Sequence, residues 1–119
     1  MLGCNVTALK SFERKAIEML VEGAISAETL DEIFEGSVIA DYEYTGCGYF
    51  LKLNHPKLPS KACTCHEPKV RGEANGILSG FIVYLGDGEL VLECHTLGEI
   101  EVPPTYRDQD VQVSAAVNR

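Results

Sequence analysis

The spacing of apolar residues changes twice along the chain, and each change marks a different kind of element. Between Thr7 and Glu22, Leu9, Phe12, Ala16, Met19 and Leu20 recur at intervals dominated by three and four, forming one stripe of an amphipathic helix. Lys10, Glu13, Arg14 and Glu18 then fall on the water-facing side, Thr7 is placed to cap the N-terminus, and Gly23 to end the helix in left-handed backbone. Ser26 is placed to cap a second helix whose Leu30, Ile33 and Phe34 share a face. Its Glu28 and Asp31 lie near the positive N-terminal end, and Gly36 closes it. With so short a connection, the pair is expected to form a helical hairpin over residues 7–36.

From Ser37 the period falls to two. In SVIADYEY, Val38, Ala40, Tyr42 and Tyr44 alternate with Ser37, Ile39, Asp41 and Glu43; TGCG turns the chain, and YFLKLN returns with Tyr49, Leu51 and Leu53 on one side. Residues 54–76 hold Pro56, Pro59 and Pro68, which would interrupt a central strand, so the segment is expected to be mainly a long loop. Ile77 to Leu85 is apolar on both faces, as a strand covered on both sides would be. Gly86-Asp87-Gly88 suits a tight hairpin, and Glu89 to Leu97 returns with Leu90, Leu92 and Cys94 on one side and Val91, Glu93 and His95 on the other. Pro103-Pro104 stops regular structure, leaving VQVSAAVNR as a short strand or a frayed tail.

The expected architecture is a single α+β domain. The helical hairpin packs on a mainly antiparallel sheet of four or five strands over residues 37–102, and residues 103–119 form a C-terminal extension. A helix pair covers only one face of a sheet. The apolar character of both faces of residues 77–85 therefore predicts a second covering, such as a symmetry mate.

Composition narrows the setting. The chain has 119 residues, 45% hydrophobic and 24% charged, the balance of one globular domain. No apolar run approaches the roughly 18 residues that span a bilayer, and the first fifteen residues lack the basic start and apolar stretch of a signal peptide. The five cysteines, Cys4, Cys47, Cys63, Cys65 and Cys94, are an odd number and are expected to be thiols in a reducing cytoplasm. The net charge is −8, unevenly spread: −4 over residues 1–36, +2 over 37–71 and −6 over 72–119. Such a field repels nucleic-acid phosphate and anionic lipid, and it suits a basic protein partner. A helix–turn–helix reader of DNA is also improbable, because the second helix offers Glu28, Asp31, Glu32 and Glu35 and no basic residue.

EYTGCGYF at 43–50 and GEANGILSGFIVYLGDGELVLECHTLGEIEVP at 72–103 resemble a family of small uncharacterised bacterial proteins. That family carries a YTGxGFF strand pair followed by a GFxxFxxDGxLxxLE hairpin. The matching positions are Tyr44, Thr45, Gly46, Gly48, Phe50, Gly80, Phe81, Gly88, Leu90, Glu93, Thr96 and Gly98. The resemblance implies a shared fold and a bacterial origin, and no activity. Cys94 and His95 replace the Gly and Tyr of the family pattern, and its terminal Trp is missing. KACTCHEP, at 61–68, falls where the family varies, so a function shared by the family would not depend on its cysteines.

KACTCHEP is nevertheless the chemically richest stretch. Cys63, Cys65 and His66 are the ligand types zinc prefers, and His55 or Cys47 could complete a set of four; the C-x-C spacing crowds both sulfurs. Lys61, His66 and Lys69 supply the local positive charge that a reactive thiolate needs, but no helix start lies beside it and a C-x-C disulfide is strained. Cys94 and His95 are adjacent on a strand and so point apart, which separates a nucleophile from its base. Glu93, Glu99, Glu101, Asp108 and Asp110 lack the spacing of a calcium loop, and no glycine-rich phosphate loop is present. Among the aromatics, Phe81 is expected in the core, while Tyr42, Tyr44, Tyr49 and Tyr84 are candidate interface anchors on the sheet.

These features predict a non-enzymatic binding or interaction module with no catalytic residues, whose partner is another protein or a second copy in a homodimer. One concrete form is an acidic inhibitor of the immunity or antitoxin kind. The alternatives are a zinc-binding protein using Cys63, Cys65 and His66, and a small enzyme of unknown substrate.

Overall fold

The computed structural model describes residues 8–98 and 101–115. Two N-terminal helices pack on an antiparallel sheet, as the α+β expectation has it, but the sheet has six strands instead of four or five. The helices are α1 (Ser11–Val21) and α2 (Ala27–Gly36). The strands are β1 (Ile39–Tyr44), β2 (Gly48–Asn54), β3 (Cys63–Ala74), β4 (Ile77–Gly86), β5 (Glu89–Thr96) and β6 (Gln112–Ala115). They lie in the order β1-β2-β5-β4-β3-β6, every neighbouring pair antiparallel.

Both helices are set by local chemistry. The Ser26 side chain accepts from the Thr29 backbone N–H, so the predicted cap of α2 holds. Helix α1 starts later than its apolar stripe suggests: Lys10 is the N-cap, and the Glu13 carboxylate reaches back to its backbone N–H at 2.8 Å. Thr7, the expected cap, lies outside the described residues. The buried face of α1 is Phe12, Glu13, Ala16, Ile17, Leu20 and Val21. Glu13, expected to face water, is completely buried.

The main departure lies in residues 54–76. Only 55–62 remain a loop, and Cys63–Ala74 is a twelve-residue strand. Proline is tolerated there because Pro68 sits where the β3–β4 register shifts, between Cys65 and Val70. On the other side β6 pairs only with Val70 to Glu73, so the stretch of β3 before Val70, Pro68 included, is also an edge. Turn chemistry agrees: Asn75 and Gly76 both have positive φ (52° and 82°) and join β3 to β4, as Asp87 and Gly88 (52° and 73°) join β4 to β5. The C-terminal extension is likewise built in. Tyr106, Val111 and Val113 are core residues, and Gln112–Ala115 closes the sheet's far edge.

The molecule measures 47 × 35 × 21 Å, and its thinnest dimension equals two layers at about 10 Å each. The helices cover one sheet face, over an inner row that includes Tyr49, Leu51, Leu53, Leu90, Leu92, Cys94, Phe81 and Val83. The opposite face carries no layer among the described residues.

Candidate functional site

Two constellations stand out, one inside the molecule and one on the uncovered face. The inner one joins the two ends of the chain. Arg107 donates from Nε to Glu13 Oε2 at 2.6 Å and from Nη2 to Glu13 Oε1 at 2.7 Å, and Tyr49 Oη donates to Oε2 at 2.6 Å. Arg107 Nη2 also donates to the Ala8 carbonyl, and its guanidinium lies 5.8 and 5.9 Å from the ring centres of Tyr42 and Tyr49. Both carboxylate oxygens of a completely buried acid are thus satisfied by a bidentate cation, a phenol and the helix N-terminus. Burial pulls the Arg107 guanidinium down, but hydrogen bonding to Glu13 and its charge outweigh that and hold the pKa up. Burial, reinforced by Glu13, pushes the Tyr49 hydroxyl well above its ordinary range. The cluster is buried and serves as a clamp between α1, β2 and the turn at Tyr106–Asp108.

The outer constellation lies on the open face. Register places Asp41 and Glu43 of β1 beside Lys52 and Phe50 of β2, which in turn pair with Val91 and Glu93 of β5. Beyond these come Tyr84 and Ile82 of β4, then Gly80 opposite His95 on one side and Arg71 on the other. Leu78 and Leu97 are 48% and 46% exposed, Tyr84 is 37% exposed, and Phe50, Ile82 and Val91 are half-buried. The face is therefore an apolar band between two charged flanks.

The flanks differ in sign. On β1, Asp41 and Glu43 are acidic and exposed; near the opposite edge, Lys69 and Arg71 are basic and exposed, followed on the same face of β3 by the exposed acid Glu73. None of Asp41, Glu43, Lys69 and Arg71 has an ion-pair partner among the described residues. On the basic side a shallow pocket of about 160 Å³ is lined by His66, Lys69, Arg71, Ile82, His95 and Leu97. Gly80 makes its floor: a Cβ there would sit 2.7 Å from His95 Nε2 and 3.2 Å from Leu97 Cδ2. Nearby, Tyr84 Oη donates to Glu93 Oε1 at 2.8 Å, and that bond is the first cause of the raised Tyr84 pKa.

The residues singled out from the sequence are distributed differently. Cys63 and Cys65 both point to the inner side of β3, their Sγ atoms 4.0 Å apart, next to the end of α1 at Leu20 and Gly23. His66 sits exposed at the bulge with Nδ1 3.7 Å from Glu67 Oε2. Neither His55 nor Cys47 joins them: among the described residues no group of three or more His, Cys, Asp or Glu side chains is placed to hold a metal ion. Burial and the Cys63 hydrogen bond push the Cys65 thiol to about 11, which opposes thiolate chemistry. Cys94, on the inner face, is pushed by burial to about 12, while His95 lies on the outer face, so alternation does separate them. Of the four tyrosines proposed as interface anchors, Tyr49 is 2% exposed and belongs to the core, a correction that follows from its bond to Glu13. Tyr42 packs against Tyr49 with ring centres 5.6 Å apart, Tyr44 donates to the Val102 carbonyl, and Tyr84 alone stands on the open face.

The Glu13–Arg107 pair carries no local signal in the sequence, because its members are 94 residues apart. Lys69 and Arg71 were foreshadowed by the positive balance of residues 37–71. No protein-family model matches the chain, and no curated protein or solved structure matches it.

Proposed function

We propose that the protein is a non-enzymatic binding module that engages a protein surface through the open face of its sheet. The observation that carries this reading is the apolar band of Phe50, Ile82, Val91, Tyr84, Leu78 and Leu97 on a face that no element among the described residues covers. Tyr84 and Phe50 are the aromatic anchors of such a surface. The two thiols with raised pKa and the separation of Cys94 from His95 favour binding over nucleophilic catalysis.

An acidic inhibitor of the immunity or antitoxin kind is the concrete form this takes, with the charge of −8 steering it to a basic target and away from nucleic acid and anionic lipid. The cytoplasm is the proposed compartment, in keeping with the four cysteines among the described residues, all of them free. No helix among the described residues is long and apolar enough to cross a membrane.

The test is retention of partners from an extract of the source cell on three immobilised baits. Wild type and Glu35→Lys, changed on the far helix, should hold the same proteins, and Ile82→Glu should lose them. Identical recovery on all three baits would remove the open face from the function.

A further inference from the structure

The open face is charged asymmetrically, and that asymmetry specifies an occupant. Asp41 and Glu43 lie on the outermost strand at one edge; His66, Lys69 and Arg71 lie on β3 toward the other, with the apolar band between. Asp41, Glu43, Lys69 and Arg71 lack an intramolecular ion pair among the described residues, whereas Lys52 on the same face pairs with Glu89 and Glu93 lies near His95. These charges are exposed and hydrated, so none requires a partner, but a face that carries opposite signs toward its two edges is complementary to a second copy turned over on it.

Two sheets packing face to face about a two-fold axis in the plane between them can take that axis across the strands or along them. An axis across the strands stacks each strand on its own mate, so Asp41 and Glu43 meet acids and Lys69 and Arg71 meet bases. An axis along the strands inverts the order β1-β2-β5-β4-β3-β6, which lays β1 over the mate's β6, β2 over its β3 and β5 over its β4. Glu43 on β1 then lies one strand away from the mate's Lys69 at the same level, and that contact forms twice. Register supports this arrangement. Glu43 and Phe50 share one level of the sheet with Glu93 and Ile82, and β3 bulges at that level with His66 and Lys69. Phe50 therefore comes down on the pocket floored by Gly80 and rimmed by Lys69 and Arg71, where cations meet an aromatic face.

We infer that the open face is the self-association surface of a two-fold homodimer whose axis runs along the strands, with the Asp41/Glu43 edge of each copy against the Lys69/Arg71 edge of the other. This inference rests on the reading of the open face as a binding surface and names a second copy as its occupant in the absence of a target, which would displace that copy. Six strands at about 4.8 Å spacing and about 20 Å of paired length present on the order of 600 Å² per copy. The dimer then buries about 1,200 Å², at the lower end of specific interfaces, so it forms reversibly with concentration. The aligned packing of two sheets, within about 30°, is compatible with such an axis.

Sedimentation velocity of the full chain over a concentration series tests it, with circular dichroism to confirm that each variant is folded. Wild type should pass from monomer to dimer, and Ile82→Glu should weaken association at least about tenfold. Asp41→Lys/Glu43→Lys makes both flanks basic, and Lys69→Glu/Arg71→Glu makes both acidic. Each variant alone should be a monomer, and an equimolar mixture should form a one-to-one dimer, because every contact across the axis is again between opposite charges. A monomer at several hundred micromolar wild type overturns the proposal, as does a dimer indifferent to Ile82→Glu or a mixture that does not associate. A monomeric wild type that still loses its extract partners through Ile82→Glu overturns the dimer alone and leaves the binding module standing.

Discussion

Glu13 is the residue on which the arrangement of the two chain ends turns. Its carboxylate is completely buried and owes its tolerance there to Arg107 at 2.6 and 2.7 Å. A buried charge that loses its partner is expected to cost about 3–5 kcal/mol, whereas replacing both partners by apolar groups is close to neutral. Arg107→Met should therefore lower stability in urea unfolding by about that amount, and Glu13→Leu/Arg107→Met should recover most of the loss. Equal losses for the single and double variants would show that packing, and not the unpaired carboxylate, sets the cost. The same residue marks the limit of pattern reasoning. Helical spacing put Glu13 beside Lys10 and Arg14 on the wet side, because a carboxylate next to an apolar stripe is exposed unless a distant cation comes to it. Arg107, after a proline pair and far along the chain, carries no periodic signal that it is that cation.

At the scale of elements, the strands bounded by turns with defined chemistry were legible, and the strand containing prolines was not. Asp87-Gly88 identifies its hairpin, and Asn75-Gly76 is an equally strong hairpin signal that requires a strand before it. Pro56, Pro59 and Pro68 outweighed that signal, although proline excludes only a doubly paired position and the first half of β3 is paired on one side. Ser26 alone signals the capping of α2. Ser26→Ala removes the acceptor for the Thr29 N–H and should cost about 1 kcal/mol, measured by urea unfolding, with Ser26→Asp close to wild type. Gly48 makes a sharper demand. At φ 156°, a Cβ would lie 1.8 Å from the Cys94 carbonyl oxygen, so β2 and β5 could not keep their register. Gly48→Ala should cost more than about 2 kcal/mol or fail to fold, while Gly23→Ala, with no atom within 4 Å of its added Cβ, should be tolerated.

For the whole molecule, the one-sided cover of the sheet has a consequence for pH as well as for partners. The covered face concentrates groups whose neutral form the fold prefers. Burial lifts Cys94 from 9.0 to about 12 and Cys65 from 9.0 to about 11, and it lifts Tyr49 and Tyr106 above their usual 10.0. Each folded pKa exceeds its unfolded value, so the folded chain binds more protons in alkali and unfolding releases them. This stabilisation is fully present below about pH 9, where both states are protonated, and is lost as pH rises through the folded values. The urea midpoint should accordingly fall steadily from pH 9 toward 12. Cys94→Ala will be less stable than wild type at neutral pH, through the cavity it leaves. It should nevertheless show a shallower decline between pH 9 and 12, because one of the released protons is gone. Parallel declines for the two proteins would mean that Cys94 is not held neutral by the core, and the helix-covered face would then be wetter than its packing indicates.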